Sequence, residues 1–442
     1  MSTTPDPARR SADPIAGRWA GLAYGGLGLP LAFVALPLYV VLPNHYAEVF
    51  GVPLAWLGAV LLAARLLDAF ADPLIGRWVD RLFTRSANSA WTVATAAAAV
   101  MSAGFAALFF PPAVLRDGNA GLLVWCAVVL ALTYLAFSIV SVVHQSWGAR
   151  LGGDETQRAR IVAWREAPAL AGVLIASVLP ALAGLGTTSI VFALLIGAGM
   201  IGLLRAPQPR SGPLLSADAA PRLGLPFANP AFRRLLAIFL LNGIASAIPA
   251  TLVLFFIRDR LQAPAFEPLF LASYFAAGGL SIPLWVRMVR RFGLARSWLA
   301  SMLLAIVAFS WAATLGAGDV VAYTIVCIGS GLALGADLTL PGAMLAGVIR
   351  HAGHGDRAEG AYFGWWNFAI KLNLALAAGL ALPLLQAFGY APGSNDAQAL
   401  VALTGAYSLL PCALKLLAAA VLWRIWIHPR MLVGVDADPR TT

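Results

Sequence analysis

Three charged side chains stand in one apolar segment of the sequence, at a spacing that puts them on one helix face. Arg65, Asp68 and Asp72 follow one another at i, i+3 and i+7, and Pro73 comes directly after them. A charge at the centre of a membrane helix costs about 2.5–3.5 kcal/mol on insertion scales. The presence of three such charges in one helix therefore indicates that they have a function.

The chemistry that these residues suit is the binding of a small cation. Two carboxylates, with a nearby hydroxyl or the carbonyl of Ala69 freed by Pro73, are ligands for a hard monovalent cation. Each carboxylate also makes it harder for the other to ionise, which favours a proton at the same place. The alternative interpretation is a structural salt bridge between Arg65 and one aspartate.

The composition places these charges in a membrane protein. The chain has 442 residues, of which 60% are hydrophobic and 11% charged, whereas soluble proteins carry roughly 25% charged residues. Apolar runs alternate with short polar breaks, which predicts an all-α polytopic fold. The net charge of +10 lies mainly in alternate loops, which indicates orientation in a lipid bilayer and no nucleic-acid partner.

The order of apolar segments predicts twelve transmembrane helices in two six-helix halves. The longest polar break, 206–231, is rich in proline and predicts a central cytoplasmic linker between the halves 20–205 and 232–427. The remaining segments, 1–19 and 428–442, are predicted to be cytoplasmic tails because the basic loops alternate as the positive-inside rule expects. Two such halves around a central cavity are a recurrent transporter plan.

Four segments carry a resemblance to a known family. Arg65-x-x-Asp68-Ala69-x-x-Asp72-Pro73-x-x-Gly76 is similar to the cation-site helix of the glycoside–pentoside–hexuronide:cation symporters, the melibiose permease group. Segments 144–150 with 161–166, 335–346 and 359–371 agree with that family in the same order, so that the resemblance covers nearly the whole chain. Gly76 to Asp80 also resembles the loop 2–3 signature of the major facilitator superfamily, which implies a conformational latch.

The resemblance implies roles for individual residues. Asp68 and Asp72 match the paired cation-site carboxylates, Ser138 matches a cation-site hydroxyl, and Lys371 matches a helix-11 lysine near both sites. Arg165 matches a helix-5 arginine near the substrate. The residue types agree for Lys371, since a lone ammonium in an apolar helix needs a carboxylate partner such as Asp68 or Asp72; the alternative is a snorkelling lysine.

The sequence also departs from the sugar-transporting members. Segment 24–33 holds no acid where they have one in helix 1, and Ser141 and Gln145 stand where an acid and an aromatic residue are expected in helix 4. A melibiose-like substrate is therefore in doubt. His144, Trp365 and Asn367 are further candidate solute contacts, although an interior histidine and membrane tryptophans are as readily packing residues.

Asp337 is predicted to lie inside the membrane without an evident sequence partner, in a cavity-lining or helix-pairing role. We find no HExxH, GxSxG or phosphate-loop pattern and expect no enzymatic activity and no cofactor beyond a coupling ion.

The sequence therefore predicts a symporter that couples Na⁺ or H⁺ to a small organic solute by alternating access. A sugar, a glycoside or an anionic sugar derivative is the expected solute class. The expected location is a bacterial inner membrane, with both termini cytoplasmic and the monomer as the working unit. The alternative, which the missing acids leave open, is an uncoupled membrane sensor or a lipid- or lysolipid-type transporter on the same fold.

Overall fold

The computed structural model describes residues 15, 17–116, 118–210, 222–387, 390 and 396–428, and these residues form helices and connections with no strand among them. The helices are α1 (Arg18–Gly25), α2 (Gly28–Leu36), α3 (Leu42–Phe50), α4 (Leu54–Arg85), α5 (Ala87–Phe109), α6 (Asn119–Arg150), α7 (Glu155–Arg205), α8 (Leu225–Ala228), α9 (Pro230–Phe255), α10 (Glu267–Phe292), α11 (Leu294–Ala312), α12 (Val320–His351), α13 (Glu359–Ala387), α14 (Ala397–Thr404) and α15 (Leu410–Leu422). Most of the predicted tails and the middle of the predicted linker lie outside the described residues.

The long helices account for the predicted number of membrane spans. Nine helical segments among the described residues are long and apolar enough to cross a membrane. One of them, α7, contains two helices, because Gly184 has φ 76° and ψ 168° and breaks the helical backbone there. Helices α4 and α13, with 32 and 29 residues, are also long enough to cross a membrane, and with the two helices of α7 they bring the number of spans to the predicted twelve.

The chain divides into two compact units. The first comprises Met1–Leu223 and Ile349–Trp365, and the second comprises Gly224–Val348 and Trp366–Thr442. Segment 349–365, which the predicted C-terminal half includes, packs with the first unit.

In the first unit, glycines bring α1 and α2 into backbone contact with α7. A Cβ on Gly25 would lie 1.8 Å from the carbonyl oxygen of Trp164, and one on Gly28 would lie 2.2 Å from that of Arg165. From the other side, a Cβ on Gly172 would lie 2.1 Å from the carbonyl oxygen of Leu29. Small residues at such crossings let two helices pack at backbone distance. The segment without an acid in helix 1 is therefore a packing surface.

A second close crossing joins α4 to the beginning of α13. A Cβ on Gly76 would lie 2.0 Å from the carbonyl oxygen of Gly360, and one on Gly364 would lie 2.5 Å from that of Asp72. The crossing therefore fixes the backbone next to the two aspartates of α4.

Substituting Gly76 with alanine is expected to destabilise the protein, although alanine is the better helix former. The added methyl group has to displace the backbone of α13, and overpacking of this kind costs about 1–3 kcal/mol. Gly58→Ala is the matched control, since a Cβ there meets no atom within 4 Å and removing a glycine from a helix gains about 0.5–1 kcal/mol. Thermal unfolding in detergent measures both variants; a Gly76→Ala variant as stable as Gly58→Ala would contradict the crossing.

Candidate functional site

The two aspartates of α4 are buried and lie against α6. Asp68 keeps 6% of its surface exposed and Asp72 keeps none. The hydroxyl of Ser138, on α6, donates a 2.7 Å hydrogen bond to Oδ1 of Asp68. Two of the residues that the resemblance assigned to the cation site, Asp68 and Ser138, are thus in direct contact, and Asp72 lies one helical turn further along α4.

This arrangement presents oxygen ligands from two helices. The Ser138 oxygen keeps its lone pairs when its proton is donated to Asp68, so that it remains able to coordinate a cation. Pro73, which lies inside α4, has no N–H to donate to the carbonyl of Ala69. Carboxylate, hydroxyl and carbonyl oxygens on two packed helices are the ligand types that a hard cation takes.

Arg65 contacts aromatic residues at the same helix face. Its guanidinium lies 3.8 Å from the ring centroid of Tyr39 and is close enough to Tyr134 to interact with it electrostatically. A guanidinium stacked on an aromatic face is held both by its charge and by its planar shape. These contacts position Arg65 one helical turn before Asp68.

Arg165 lies in a second polar cluster of the first unit, where α7 meets α1. Its Nε and Nη2 both contact Oε1 of the adjacent Glu166, at 2.8 and 2.7 Å, and its charge lies near the Tyr24 side chain. The two side chains keep 15% and 18% of their surface exposed. Glu166 was not predicted as a site residue, although its position next to Arg165 in sequence was a signal.

His144 of α6 belongs to the same cluster. Its Nε2 lies 2.8 Å from the backbone carbonyl oxygen of Tyr24, and the Tyr24 hydroxyl donates to the carbonyl of His144 at 3.2 Å. Because a carbonyl only accepts, Nε2 carries the proton, and Nδ1 is an acceptor in the neutral ring. Nδ1 is buried and has no hydrogen-bond partner within the described part of the chain.

Ser141 and Gln145 lie on the α6 face that also carries Ser138, at spacings of three and seven residues. Ser141 is buried, and Oε1 of Gln145 is a buried acceptor to which no described residue donates. The face therefore offers uncharged hydrogen-bonding groups at the positions where the resemblance led us to look for an acid and an aromatic residue.

Asp80, the last residue of the segment that resembles the loop 2–3 signature, caps the N-terminus of α13. Its Oδ1 accepts from the backbone N–H of Gly360 at 2.7 Å, and its Oδ2 accepts from that of Ala361 at 2.8 Å. Arg150 Nη2 lies 3.1 Å from Asp80 Oδ1 and 2.9 Å from Oε2 of Glu359, and all three side chains are buried. The gating role of Asp80 stays a prediction, and Arg150 and Glu359 are its partners that were not predicted.

The remaining predicted solute and cation residues, Trp365, Asn367 and Lys371, lie on α13. Trp365, in the first unit, is half-buried and donates from Nε1 to the carbonyl oxygen of Leu223 at 2.9 Å. Asn367 and Lys371 belong to the second unit, where Asn367 is buried and Lys371 is partly exposed. The pairing of Lys371 with an aspartate of α4 stays a prediction. The solute contacts of Trp365 and Asn367 also stay predictions.

Asp337 has a charged partner that the sequence did not reveal. Lys415 Nζ, on α15, lies 2.8 Å from Oδ2 of Asp337, on α12. Asn242 bridges the pair, since its Nδ2 donates to Asp337 and its Oδ1 accepts from Lys415. Asp337 therefore connects helices α9, α12 and α15 of the second unit. The signal for this contact in the sequence was that Asp337 and Lys415, with opposite charges, each lie in an apolar segment.

Comparison with known proteins places this geometry in a family. The family described as MFS/sugar transport protein matches residues 20–428. The chain belongs to this family. It is a transporter of the major facilitator superfamily and an integral membrane protein, with the all-helical fold and the two packed carboxylates described above.

Individual relatives agree with the family. The glucuronide carrier protein homolog of Escherichia coli strain K12 is 26% identical over 427 residues, which cover 91% of each chain. The inner membrane symporter YicJ of the same strain is 27% identical over 160 residues, which cover 36% of this chain and 33% of that one.

Solved structures establish the fold. FucP, a major facilitator superfamily transporter in the outward conformation, superposes with a TM-score of 0.66 at 16% identity and covers 93% of this chain and 99% of its own. A bacterial homologue of the iron transporter ferroportin superposes with a TM-score of 0.67 at 18% identity, over 91% of this chain and 99% of its own.

Proposed function

We propose that this transporter is a cation-coupled symporter in which Asp68, Asp72 and Ser138 bind the coupling ion, Na⁺ or H⁺. The observation that carries the proposal is the hydrogen bond from Ser138 to Asp68 beside the fully buried Asp72. Two carboxylates on one buried helix face repel each other, and a bound cation or proton relieves that repulsion. The free energy of binding the ion is then available to change the conformation of the protein.

The solute we propose is a glycoside or an anionic sugar of the glucuronide type. Arg165 and Glu166 together present donors and an acceptor, which suit the hydroxyls of a sugar, and His144 adds an acceptor at Nδ1. Arg165 also suits a sugar carboxylate, because a guanidinium binds a carboxylate through two parallel hydrogen bonds. The relative whose name specifies a glucuronide carrier homolog supports the same class.

We further propose a bacterial inner membrane as the location, both termini on the cytoplasmic side and a monomer as the working unit. Alternating access is the proposed cycle: ion binding at α4 and α6 raises the affinity for the solute, and the loaded protein then opens to the other side. Ion and solute raise each other's affinity by the same factor, since coupling free energies are reciprocal.

Thermal stability of the purified protein in detergent tests the ion site without any knowledge of the solute. A ligand that binds only the folded protein stabilises it by RT ln(1 + [L]/Kd). If Na⁺ is the coupling ion, replacing choline with Na⁺ at constant ionic strength is expected to raise the unfolding temperature. If the proton is the coupling ion, the unfolding temperature of the wild type is expected to depend on pH, and Asp72→Asn is expected to lose that dependence. A protein that responds to neither ion would not be a coupled symporter.

Substituting Arg165 with glutamine is expected to weaken solute binding while leaving the ion response intact. The change removes the charge that holds Glu166 in place, and loss of a hydrogen bond to a charged group costs about 1.5–3 kcal/mol, or roughly tenfold to a hundredfold in affinity. Binding of 4-nitrophenyl β-D-glucuronide by calorimetry, beside the Na⁺ or proton stabilisation, measures both effects.

Arg205→Gln is the matched control for that substitution, because Arg205 is an exposed arginine at the end of the same helix α7. Unchanged glucuronide affinity in Arg165→Gln would remove Arg165 from the solute site. Loss of the ion response together with solute binding would mean that the variant has lost its fold.

A further inference from the structure

The second unit contains a cavity that the transport proposal does not use. Its volume is about 200 Å³, and it lies among helices α9, α10, α11, α12 and α15. An apolar cavity of about 150 Å³ is enough to hold a benzene molecule. The cavity therefore has room for a ring-sized organic molecule.

The wall of the cavity is mainly apolar and includes several aromatic side chains. Six aromatic residues from four parts of the unit line it: Phe270, Tyr274, Phe275, Phe309, Tyr323 and Tyr407. The hydroxyls of Tyr323 and Tyr407 lie 2.5 Å apart and bond to each other. One hydroxyl donates and the other accepts in this bond, so the pair keeps one O–H proton, and the rest of each tyrosine side chain presents ring surface.

One part of the cavity lining is charged. Asp337 and Lys415 both line the cavity and keep 15% and 9% of their side-chain surface exposed. Their charges cancel, so the lining carries no net charge at this point. A ligand in the cavity can therefore bond only to hydrogen-bonding positions that the pair leaves open.

The ammonium of Lys415 has no hydrogen left for a ligand. It donates to Oδ1 of Asn242 at 2.7 Å, to Oδ2 of Asp337 at 2.8 Å and to the hydroxyl of Ser246 at 3.2 Å. An ammonium has three N–H donors and no acceptor. An anionic ligand would have to break one of these bonds, and the cavity therefore disfavours anions.

Asp337 keeps the capacity to accept one more hydrogen bond. Its Oδ1 accepts from Asn242 at 3.1 Å and from Nε1 of Trp298 at 2.9 Å, while Oδ2 accepts from Lys415 at 2.8 Å. A carboxylate offers about four lone-pair positions, and the described residues fill three of them. The spare position takes a hydrogen-bond donor.

Charge and geometry together define the ligand. A cation would lie next to the ammonium of Lys415, whose like charge repels it. A sugar would bury several hydroxyls in a cavity whose lining is mainly apolar, and each hydroxyl left without a partner there is costly. A neutral ring with a single hydroxyl places its ring among the aromatic side chains and its proton on Asp337.

We propose that this cavity is a ligand site for a neutral aromatic alcohol, distinct from the ion and solute residues of the first unit. The ring packs against the aromatic wall, and the hydroxyl donates to Asp337 while the Asp337–Lys415 pair stays intact. The proposal does not rest on the transport function, since it concerns binding in the second unit alone.

Benzyl alcohol is the probe, tested beside toluene, benzoate and benzylamine, which share its ring and change its polar group. The expected result is that benzyl alcohol stabilises the detergent-solubilised protein against heat and binds about tenfold tighter than toluene, the fold-change of one hydrogen bond to a charged acceptor. Benzoate and benzylamine are expected to have no effect. Equal effects of all four compounds, or no effect of any, would overturn the proposal.

A cavity-filling variant locates the binding. Ala305 lines the cavity from α11, and Ala305→Phe is expected to abolish the stabilisation by benzyl alcohol. Val307→Phe is the matched control, because Val307 is 70% exposed on the same helix. Stabilisation that persists in Ala305→Phe would place the probe elsewhere and contradict the proposal.

The native cysteines provide a readout that needs no variant. Cys327 and Cys412 line the cavity, whereas Cys126 is buried in the first unit. Benzyl alcohol is expected to slow alkylation of Cys412 by N-ethylmaleimide and to leave Cys126 unaffected, as followed by mass spectrometry. If Ala305→Phe does not fold, an unchanged Cys412 rate in the wild-type protein overturns the proposal.

Discussion

Asp72→Asn is expected to abolish cation-driven accumulation of solute and to leave solute exchange in place. The substitution keeps the side-chain volume and removes the charge of a carboxylate with no exposed surface. Without that charge the proposed ion site loses a principal ligand, while Arg165 and Glu166 of the proposed solute site on α7 are untouched. Uptake in proteoliposomes is therefore expected to fall to the equilibrium level.

Two assays on the same proteoliposomes separate these effects. Accumulation of labelled glucuronide under an imposed Na⁺ or proton gradient measures coupling, and counterflow without a gradient measures solute movement alone. Asp319→Asn is the matched control, because Asp319 is exposed and accepts a hydrogen bond from the backbone N–H of Gly316 that asparagine also accepts. Gradient-driven accumulation by Asp72→Asn at the wild-type level would remove Asp72 from the ion site.

Arg150→Ala is expected to destabilise the protein by about 3–5 kcal/mol, the cost of leaving a buried charge without its partner. Arg150 holds Asp80 and Glu359 together, both of them buried carboxylates, and it also donates from Nη1 to the backbone carbonyl of Asp356 at 2.9 Å. Removing the guanidinium leaves two like charges facing each other at the start of α13.

Thermal unfolding in detergent measures this loss, with Arg85→Ala as the control because Arg85 is exposed at the end of α4. The double variant Arg150→Ala with Glu359→Gln is expected to recover part of the stability, since it removes one of the two opposed carboxylates. If Arg150→Ala unfolds at the same temperature as Arg85→Ala, the cluster does not hold the first unit together.

The sequence predicted the helices well because membrane spans follow from hydrophobic length. It also predicted the shared face of Asp68 and Asp72, which follows from helical periodicity alone. The contact of Asp68 with Ser138 came from resemblance, because a bond across 70 residues of sequence has no local pattern. Spacing therefore places residues on a face, and only the packing of α4 on α6 brings two faces together.

The missed contacts have the same physical origin. Asp337 and Lys415 are 78 residues apart, and nothing near either residue in sequence specifies the other. Charged residues inside a membrane usually pair with a residue of opposite charge. The presence of one lone aspartate and one lone lysine in apolar segments therefore indicated that they could pair.

From the sequence, segment 24–33 was noted only for lacking the acid that sugar-transporting relatives have in helix 1. In the structure, the glycines of this segment allow its close contact with α7. A Cβ on Gly25 or Gly28 would collide with the α7 backbone at Trp164 or Arg165. Backbone proximity of this kind leaves no local pattern beyond the glycines themselves.

Cation-driven accumulation of a glucuronide by the wild-type protein tests the central proposal most directly. Purified protein in sealed proteoliposomes receives labelled 4-nitrophenyl β-D-glucuronide at equal concentration on both sides, with an inward gradient of Na⁺ or of protons. A coupled symporter concentrates the compound inside for as long as one of these gradients lasts and stops when an ionophore collapses it. Equilibration to equal concentrations under either gradient, with counterflow intact, would show an uncoupled transporter and contradict the proposal.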